Sequence, residues 1–315
     1  MTVNGAIGID GLSIVICTRN RHEDVSRCVR SIARQADLDD LGIEVLIVDD
    51  GDSPPDATDE WRRTLSALPR TDFFYYKKRS APGVWQSRYE AVGLVRYDVI
   101  VYFDDDAELD NRHYLRRLAD TYASDPAIVG VGGVARGMAV GRWSVMLGVL
   151  TCQMSRSPGK LSPSGLAGSL LRWGEARTTF ETEFFHGCNM SFRRFALRDM
   201  KPYPWMTGYA VGDDLFMSSL AGRYGKLVVN PQLAIVHHES PRSRDRAGRV
   251  AEATAVNHYF LLRLRGAGAI RYAALVWTLI YRLGKETLKR NPEAAAGYGR
   301  GIGFIMNPRK QSYEV

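Results

Sequence analysis

Apolar and polar positions along the first half of the chain keep switching between the period of a strand and the period of a helix. Leu12-Ser13-Ile14-Val15-Ile16-Cys17 is an apolar run of strand length that breaks at Thr18-Arg19-Asn20-Arg21. From Glu23 the apolar residues fall at Val25, Cys28, Val29, Ile32 and Ala36, the i, i+3/i+4 spacing of one helical face. A second apolar run over 43–48 ends in Asp49-Asp50-Gly51. Strand, helix and strand with short connections predict a βαβ unit, a right-handed crossover and a parallel sheet. The alternation continues with a helix over 58–68, a strand over 73–76, a helix over 84–95, a strand over 99–103, a helix over 114–123 and a strand over 128–134. Further on, a helix is expected from Gly212 through Leu220, and a strand over 233–238 ends in two histidines.

Composition sets the class. Among 315 residues, 45% are apolar and 24% charged, enough to bury a core and inconsistent with disorder. The four cysteines, Cys17, Cys28, Cys152 and Cys188, form no CxxC pair and read as reduced. Residues 1–10 lack a basic region followed by an apolar one, so no signal peptide is expected and the location reads as cytoplasmic. The net charge of +7 is uneven: residues 241–315 hold 14 Lys+Arg against 5 Asp+Glu.

The candidate chemistry sits at one strand end. Tyr97-Asp98-Val99-Ile100-Val101-Tyr102-Phe103 runs into Asp104-Asp105-Asp106. Three adjacent carboxylates repel one another and call for a positive counterpart, for which a hard divalent cation with oxygen ligands is suited. The carboxyl ends of strands in an open α/β sheet are also where ligands bind. A solvated acidic turn is the alternative. A dinucleotide oxidoreductase is disfavoured, because Thr18-Arg19-Asn20 stands where G-x-G-x-x-G would follow the first strand.

Four segments in this order, "SIVICTRNR", "VLIVDDGDS", "PGVWQSRYEA" and "VIVYFDDDAEL", resemble the inverting family-2 glycosyltransferases of the GT-A fold. The resemblance extends through Phe184–Arg194, similar to the family's G-x-N-M-x-F-R-R segment beneath the acceptor site, where His186 and Asn189 stand. Gly212-Asp213-Asp214-Leu215 resembles the E-D motif that supplies the catalytic base, with Asp213 in place of the usual Glu. Helix spacing favours Asp214 as the base and leaves Asp213 open.

The resemblance implies a mixed, mostly parallel sheet flanked by helices. It implies Mn²⁺ or Mg²⁺ held by Asp106, with Asp104 or Asp105 on the ribose or on metal-bound water. His237 or His238 would be a further ligand; they point to opposite faces of a strand, and His238, nearer the strand end, is preferred. Asp50 would accept from the imide of a uracil or thymine, with Thr18 and Arg19 beside the same nucleotide. Arg88 would orient Asp50 or approach the nucleotide. The implied reaction is sugar transfer from a UDP- or dTDP-sugar to a glycan or lipid-linked saccharide.

Domain organisation reads as a catalytic domain over 1–240 and a basic helical tail over 241–315. Within the first, 12–110 is the nucleotide-binding half and 111–240 the acceptor-binding half, with an insert over 135–180. The insert's apolar piece at 143–150 and Ser/Pro/Gly-rich 155–169 read as a mobile flap near the acceptor. In the tail, helical patterns over 251–264 and 269–288 carry Arg263, Arg265, Arg271, Arg282 and Lys285. The uncharged run 272–281 is too short to span a bilayer. Basic flanks on apolar residues suit a helix lying on the inner face of an anionic membrane; a helical hairpin packed on the catalytic domain is the alternative. A nucleotidyl- or phosphotransferase finds no G-x-x-x-x-G-K-[ST] loop, and a nucleic-acid binder finds no recognisable module. A non-catalytic sugar-nucleotide binder is disfavoured by the intact acidic set.

Overall fold

The computed structural model describes residues 8–206, 210–239 and 246–307. The point near Arg242 where the tail was expected to begin, and residues 1–7 of the expected leaderless start, lie outside them. In chain order the elements are β1 (Gly11–Thr18), α1 (His22–Ala33), β2 (Gly42–Asp49), α2 (Pro55–Leu65), β3 (Thr71–Lys77), α3 (Val84–Leu94), β4 (Val99–Asp104), β5 (Ala107–Leu109), α4 (Tyr114–Ser124) and β6 (Ile128–Ala135). There follow α5 (Arg142–Leu150), β7 (Phe180–Glu181), β8 (Asn189–Arg193), α6 (Asp213–Ala221), β9 (Lys226–His237), α7 (Ala247–Leu264), α8 (Ala269–Leu288) and α9 (Pro292–Met306).

One sheet carries the whole, in the order β3-β2-β1-β4-β8-β6-β9-β5, with β7 pairing β9. The β3-β2-β1-β4 half is parallel throughout. Antiparallel β8 separates it from the parallel pair β6–β9, and β5 and β7 run against β9. This is the mixed, mostly parallel α/β sheet that the sequence implies.

Strands β1, β2 and β4 are buried on both faces, which is why they read as continuous apolar runs rather than alternating ones, whereas β3, at the edge, is half-exposed. Ile14, Val45 and Val101 pack with Val25, Val29 and Ile32 of α1 and with Trp61 of α2 on one side. Val15, Leu46, Ile100 and Tyr102 face the opposite layer, with Trp85 of α3 and Phe216 of α6.

The tail departs from expectation in two ways. Its first helix, α7, is part of the main core: Phe260 stacks on Trp205 with ring centroids 4.0 Å apart. A third helix, α9, also forms, across a glycine-rich stretch where no helix was expected, although Asn291-Pro292-Glu293 is a helix start and Asn291 caps it by accepting from the Ala294 amide. The glycines are the contact surface. A Cβ on Gly297 would lie 2.2 Å from the carbonyl oxygen of Gly248, and one on Gly301 would lie 2.3 Å from the Ala255 Cβ. Only a bare backbone lets α9 come this close to α7.

The insert is not a mobile flap over its length. Ser162, Ser164 and Ser169 are fully buried and bonded: Ser164 Oγ donates to Cys152 O at 2.6 Å and Ser169 Oγ to Lys160 O at 2.9 Å. Only α5 stands proud, with no buried residue. Among the described residues, no helix is long and apolar enough to cross a membrane.

Candidate active site

The carboxyl ends of β1, β2 and β4 converge on a cavity of about 360 Å³ lined by Thr18, Arg19, Asp50, Arg88, Asp104, Asp105, His186, Asp213, Asp214 and His237. The three aspartates after β4 have separate fates. Asp105 turns back into the sheet end, where it accepts from Thr18 Oγ1 at 2.8 Å and Arg21 Nη1 at 3.0 Å. Burial pushes its pKa up to about 7 in spite of Arg21, with Asp106 and Asp104 adding to the rise. It supports the cavity wall, whereas Asp104 is the more exposed of the three and Asp106, as buried as Asp105, turns to β9.

The turn is closed by β5, which is too short to leave a mark in the sequence. Its register sets Ala107 opposite His237 of β9. That brings His237 Nε2 to 3.1 Å from Asp106 Oδ1 and 3.9 Å from Asp104 Oδ2. His238 points the other way, 3.2 Å from Glu108 Oε2. The preference for His238, based on distance from the strand end, is therefore reversed by the register. Ligand atoms of Asp104, Asp106 and His237 lie within 4.8 Å of one another, as do those of His186, Cys188 and His237. Burial raises the Cys188 thiol well above its ordinary pKa, and its Sγ lies 3.0 Å from His186 Nδ1. The two-carboxylate, one-imidazole set fits a divalent cation. His237→Ala should weaken Mn²⁺ binding by at least the ~10–100-fold that follows loss of an outer-sphere partner. His238→Ala should leave it within twofold. Equal losses in calorimetric titration would refute the assignment.

Arg88 is the hub of the opposite wall, and its partner is not Asp50. From α3 it reaches Asp213 Oδ2 at 2.6 Å, Asp104 Oδ1 at 2.8 Å and Gly187 O at 2.9 Å. Asp50 is held instead by Lys78 Nζ at 2.9 Å and the Gly83 amide at 2.8 Å. Lys78, fully buried by its side chain, was not singled out in the sequence, and neither was Arg21. The signal available was a cation directly after a strand's carboxyl end.

Gly212 opens α6 at φ +83°, a left-handed turn that glycine adopts without strain, and presents both aspartates at the helix start. Asp213 is taken by Arg88. Asp214 accepts from the Gly187 amide at 3.0 Å and its pKa is pushed up to about 7, first by burial, then by Asp213, with Arg88 opposing. His186 lines the same cavity; burial and His237 lower its pKa to about 4, so its imidazole is neutral.

Asn189, expected near the acceptor, is elsewhere. It is buried in β8, where its side chain pairs with the Tyr114 hydroxyl and donates to Leu233 O at 2.9 Å. It ties α4 and β9 to the middle of the sheet.

Three solved structures share this architecture. The Pyrobaculum calidifontis mannosyltransferase PcManGT, in complex with GDP-Man and Mn²⁺, matches with a TM-score of 0.52 at 19% identity, over 95% of this chain and 81% of that one. GalNAc-T7 with UDP, GalNAc and Mn²⁺ gives 0.59 at 15% identity, over 95% of this chain but only 56% of that one. S. aureus TarS 1–349 gives 0.53 at 15%, over 93% and 81%. At these identities the likeness defines the class by fold alone: a GT-A glycosyltransferase architecture. No curated protein sequence matches the chain. The model of glycosyl transferase family 2 matches residues 13–201, well over half of the chain, which therefore belongs to that family. Asp213, Asp214 and His237 lie beyond the matched residues.

Proposed function

We propose that this protein is a metal-dependent, inverting glycosyltransferase. Its donor is a UDP- or dTDP-sugar and its acceptor a glycan or lipid-linked saccharide at the cytoplasmic face of a membrane. The observation that carries the reading is that Asp104 and His237 line one cavity with Asp214, and that Asp106 stands against them, 3.1 Å from His237 Nε2. Metal-ligand and base chemistry thus meet in one space of nucleotide-sugar scale. The Mn²⁺ in the PcManGT and GalNAc-T7 structures supports the same chemistry.

In this reading Asp104, Asp106 and His237 would hold a divalent cation, which when bound would supply positive charge against the diphosphate leaving group. Thr18, Arg19 and Asp50 line the nucleotide end. Asp214 takes the proton of the acceptor hydroxyl, whose oxygen attacks the anomeric carbon from the face opposite the diphosphate and inverts it. A carboxyl with a pKa near 7 is well matched to that task. Arg88 keeps Asp213 and Asp104 apart from Asp214 and in position.

Calorimetric titration with UDP, dTDP, GDP and ADP, each with Mn²⁺ and again with EDTA, tests the proposal. UDP or dTDP should bind tightest and lose affinity in EDTA. Equal binding of all four without metal would reduce the acidic cluster to a structural turn and overturn it.

A further inference from the structure

A second cavity, of about 510 Å³, lies behind the catalytic base. Val211, Gly212 and Asp214 line both it and the donor cavity, so the two meet at the base. Its lining is largely apolar, with Leu147 of α5, Met154, Leu166 and Leu171 of the insert, and Leu215 of α6. Arg282 and Lys285 of α8 line it as well. Neither is within ion-pair distance of a carboxylate among the described residues, although Arg282 Nε donates to Gln153 Oε1 at 2.8 Å.

At the inner end stands His258, which is only 5% exposed. Its Nδ1 lies 2.7 Å from Thr254 O, and a carbonyl can only accept, so Nδ1 carries the proton. Nε2 is therefore left as an acceptor on a ring that lines the cavity. Outside, α5 presents an apolar face, with Trp143 80% and Leu150 68% exposed. Trp277 of α8 donates to Leu150 O at 3.1 Å and continues that face across both helices.

We propose that this cavity is the acceptor site, and that it takes an amphiphile with a hydroxylated end, a phosphate linker and an apolar chain. The hydroxyl end meets Asp214 and His258, the phosphate meets Arg282 and Lys285, and the chain leaves over the outer face of α5. Cations without a carboxylate partner, set among apolar side chains, recognise that combination better than they recognise either a neutral sugar or a bare anion. The inference rests on Asp214 as the base of a transferase, and names the acceptor class and the site that selects it.

The test is calorimetry on the full chain with farnesyl phosphate, farnesol and inorganic phosphate below micellar concentrations, after UDP with Mn²⁺ has been titrated into the same samples. Farnesyl phosphate should bind at least tenfold tighter than farnesol or phosphate alone. Lys285→Gln, and Arg282→Gln with Lys285→Gln, should erase the advantage over farnesol while UDP binding is retained. The retained UDP binding reports that these variants are folded. Leu147→Asp, at an exposed position, should weaken farnesyl phosphate and farnesol alike. Farnesyl phosphate bound no tighter than farnesol, or unaffected by the glutamines, would overturn the site. UDP binding without farnesyl phosphate binding sinks this site alone, whereas failure of UDP with Mn²⁺ sinks the transferase reading beneath it.

Discussion

Asp214→Asn should lower kcat by about 10²–10⁴-fold, the range contributed by a positioned general base, with UDP binding in Mn²⁺ unchanged. The amide is nearly isosteric and retains an oxygen for the Gly187 N–H, so the site's shape survives and its proton acceptor does not. The pH profile gives the second half of the expectation. Below about 7 the Asp214 carboxyl takes up a proton, so the wild-type rate should fall tenfold per pH unit on the acid side and level off above. That acid limb should vanish in the residual activity of the variant.

Stability should move the other way. A carboxyl whose folded pKa is raised leaves the fold most stable below its unfolded value, near 4, and costs stability as pH rises towards 7. Asp214→Asn should therefore be at least as stable as wild type at pH 8. Loss of UDP binding in parallel with that caused by Asp106→Asn would refute the separate roles.

Arg88→Gln should be the most damaging single change to the fold. The Arg88 side chain is 4% exposed and neutralises two carboxylates, Asp213 at 11% and Asp104 at 35%. Removing one partner of a buried pair typically costs about 3–5 kcal/mol, because the remaining charge stays buried without compensation. The penalty should depend on pH. Burial already raises the Asp213 pKa, and without Arg88 it rises further. Between its unfolded pKa, near 4, and its raised folded pKa, that carboxyl stays protonated in the folded variant but not in the unfolded chain, so its contribution to stability falls as pH climbs through that window. Urea unfolding at pH 5 and pH 8 should show the gap to wild type widening with pH. A gap below about 1 kcal/mol at pH 8, or one independent of pH, would mean that Arg88 is not the counter-charge. Arg88→Lys keeps the charge but loses the fork that spans two carboxylates, and should fall between.

The parallel half and its acidic strand ends are legible because a strand buried on both faces is a continuous apolar run, and α1, α2 and α4 carry one clean stripe each. What the sequence hides depends on pairing at a distance. Arg88 finds Asp213 125 residues away, and no local pattern announces that. The choice between His237 and His238 was made by β5, three residues long, through its register with β9. Asn189 stands in a segment associated with the acceptor, yet its pleat position sends it into the core. Serines at 155–169 look like linker by composition, but composition does not say whether a hydroxyl meets water or a carbonyl. The burial of α7 and the close approach of α9 follow from Trp205 and from glycines on facing helices, which a scan of one helix at a time does not join.

The position of β9 also has a consequence for biosynthesis. Among the described residues it is the last strand made, yet it lies inside the sheet between β6 and β5 rather than at an edge. While the chain is leaving the ribosome, β1 to β4 can pair as soon as they are made. The Asp104–Asp106 turn must then wait for a segment more than a hundred residues downstream to insert and deliver His237. Contacts that distant in sequence form late. Until they form, β6 and β5 present open edges, the condition under which nascent chains pair with the wrong partner. The grouping of Asp104, Asp106 and His237 is thus a record of completed folding: a chain that holds these three side chains together has already closed its sheet.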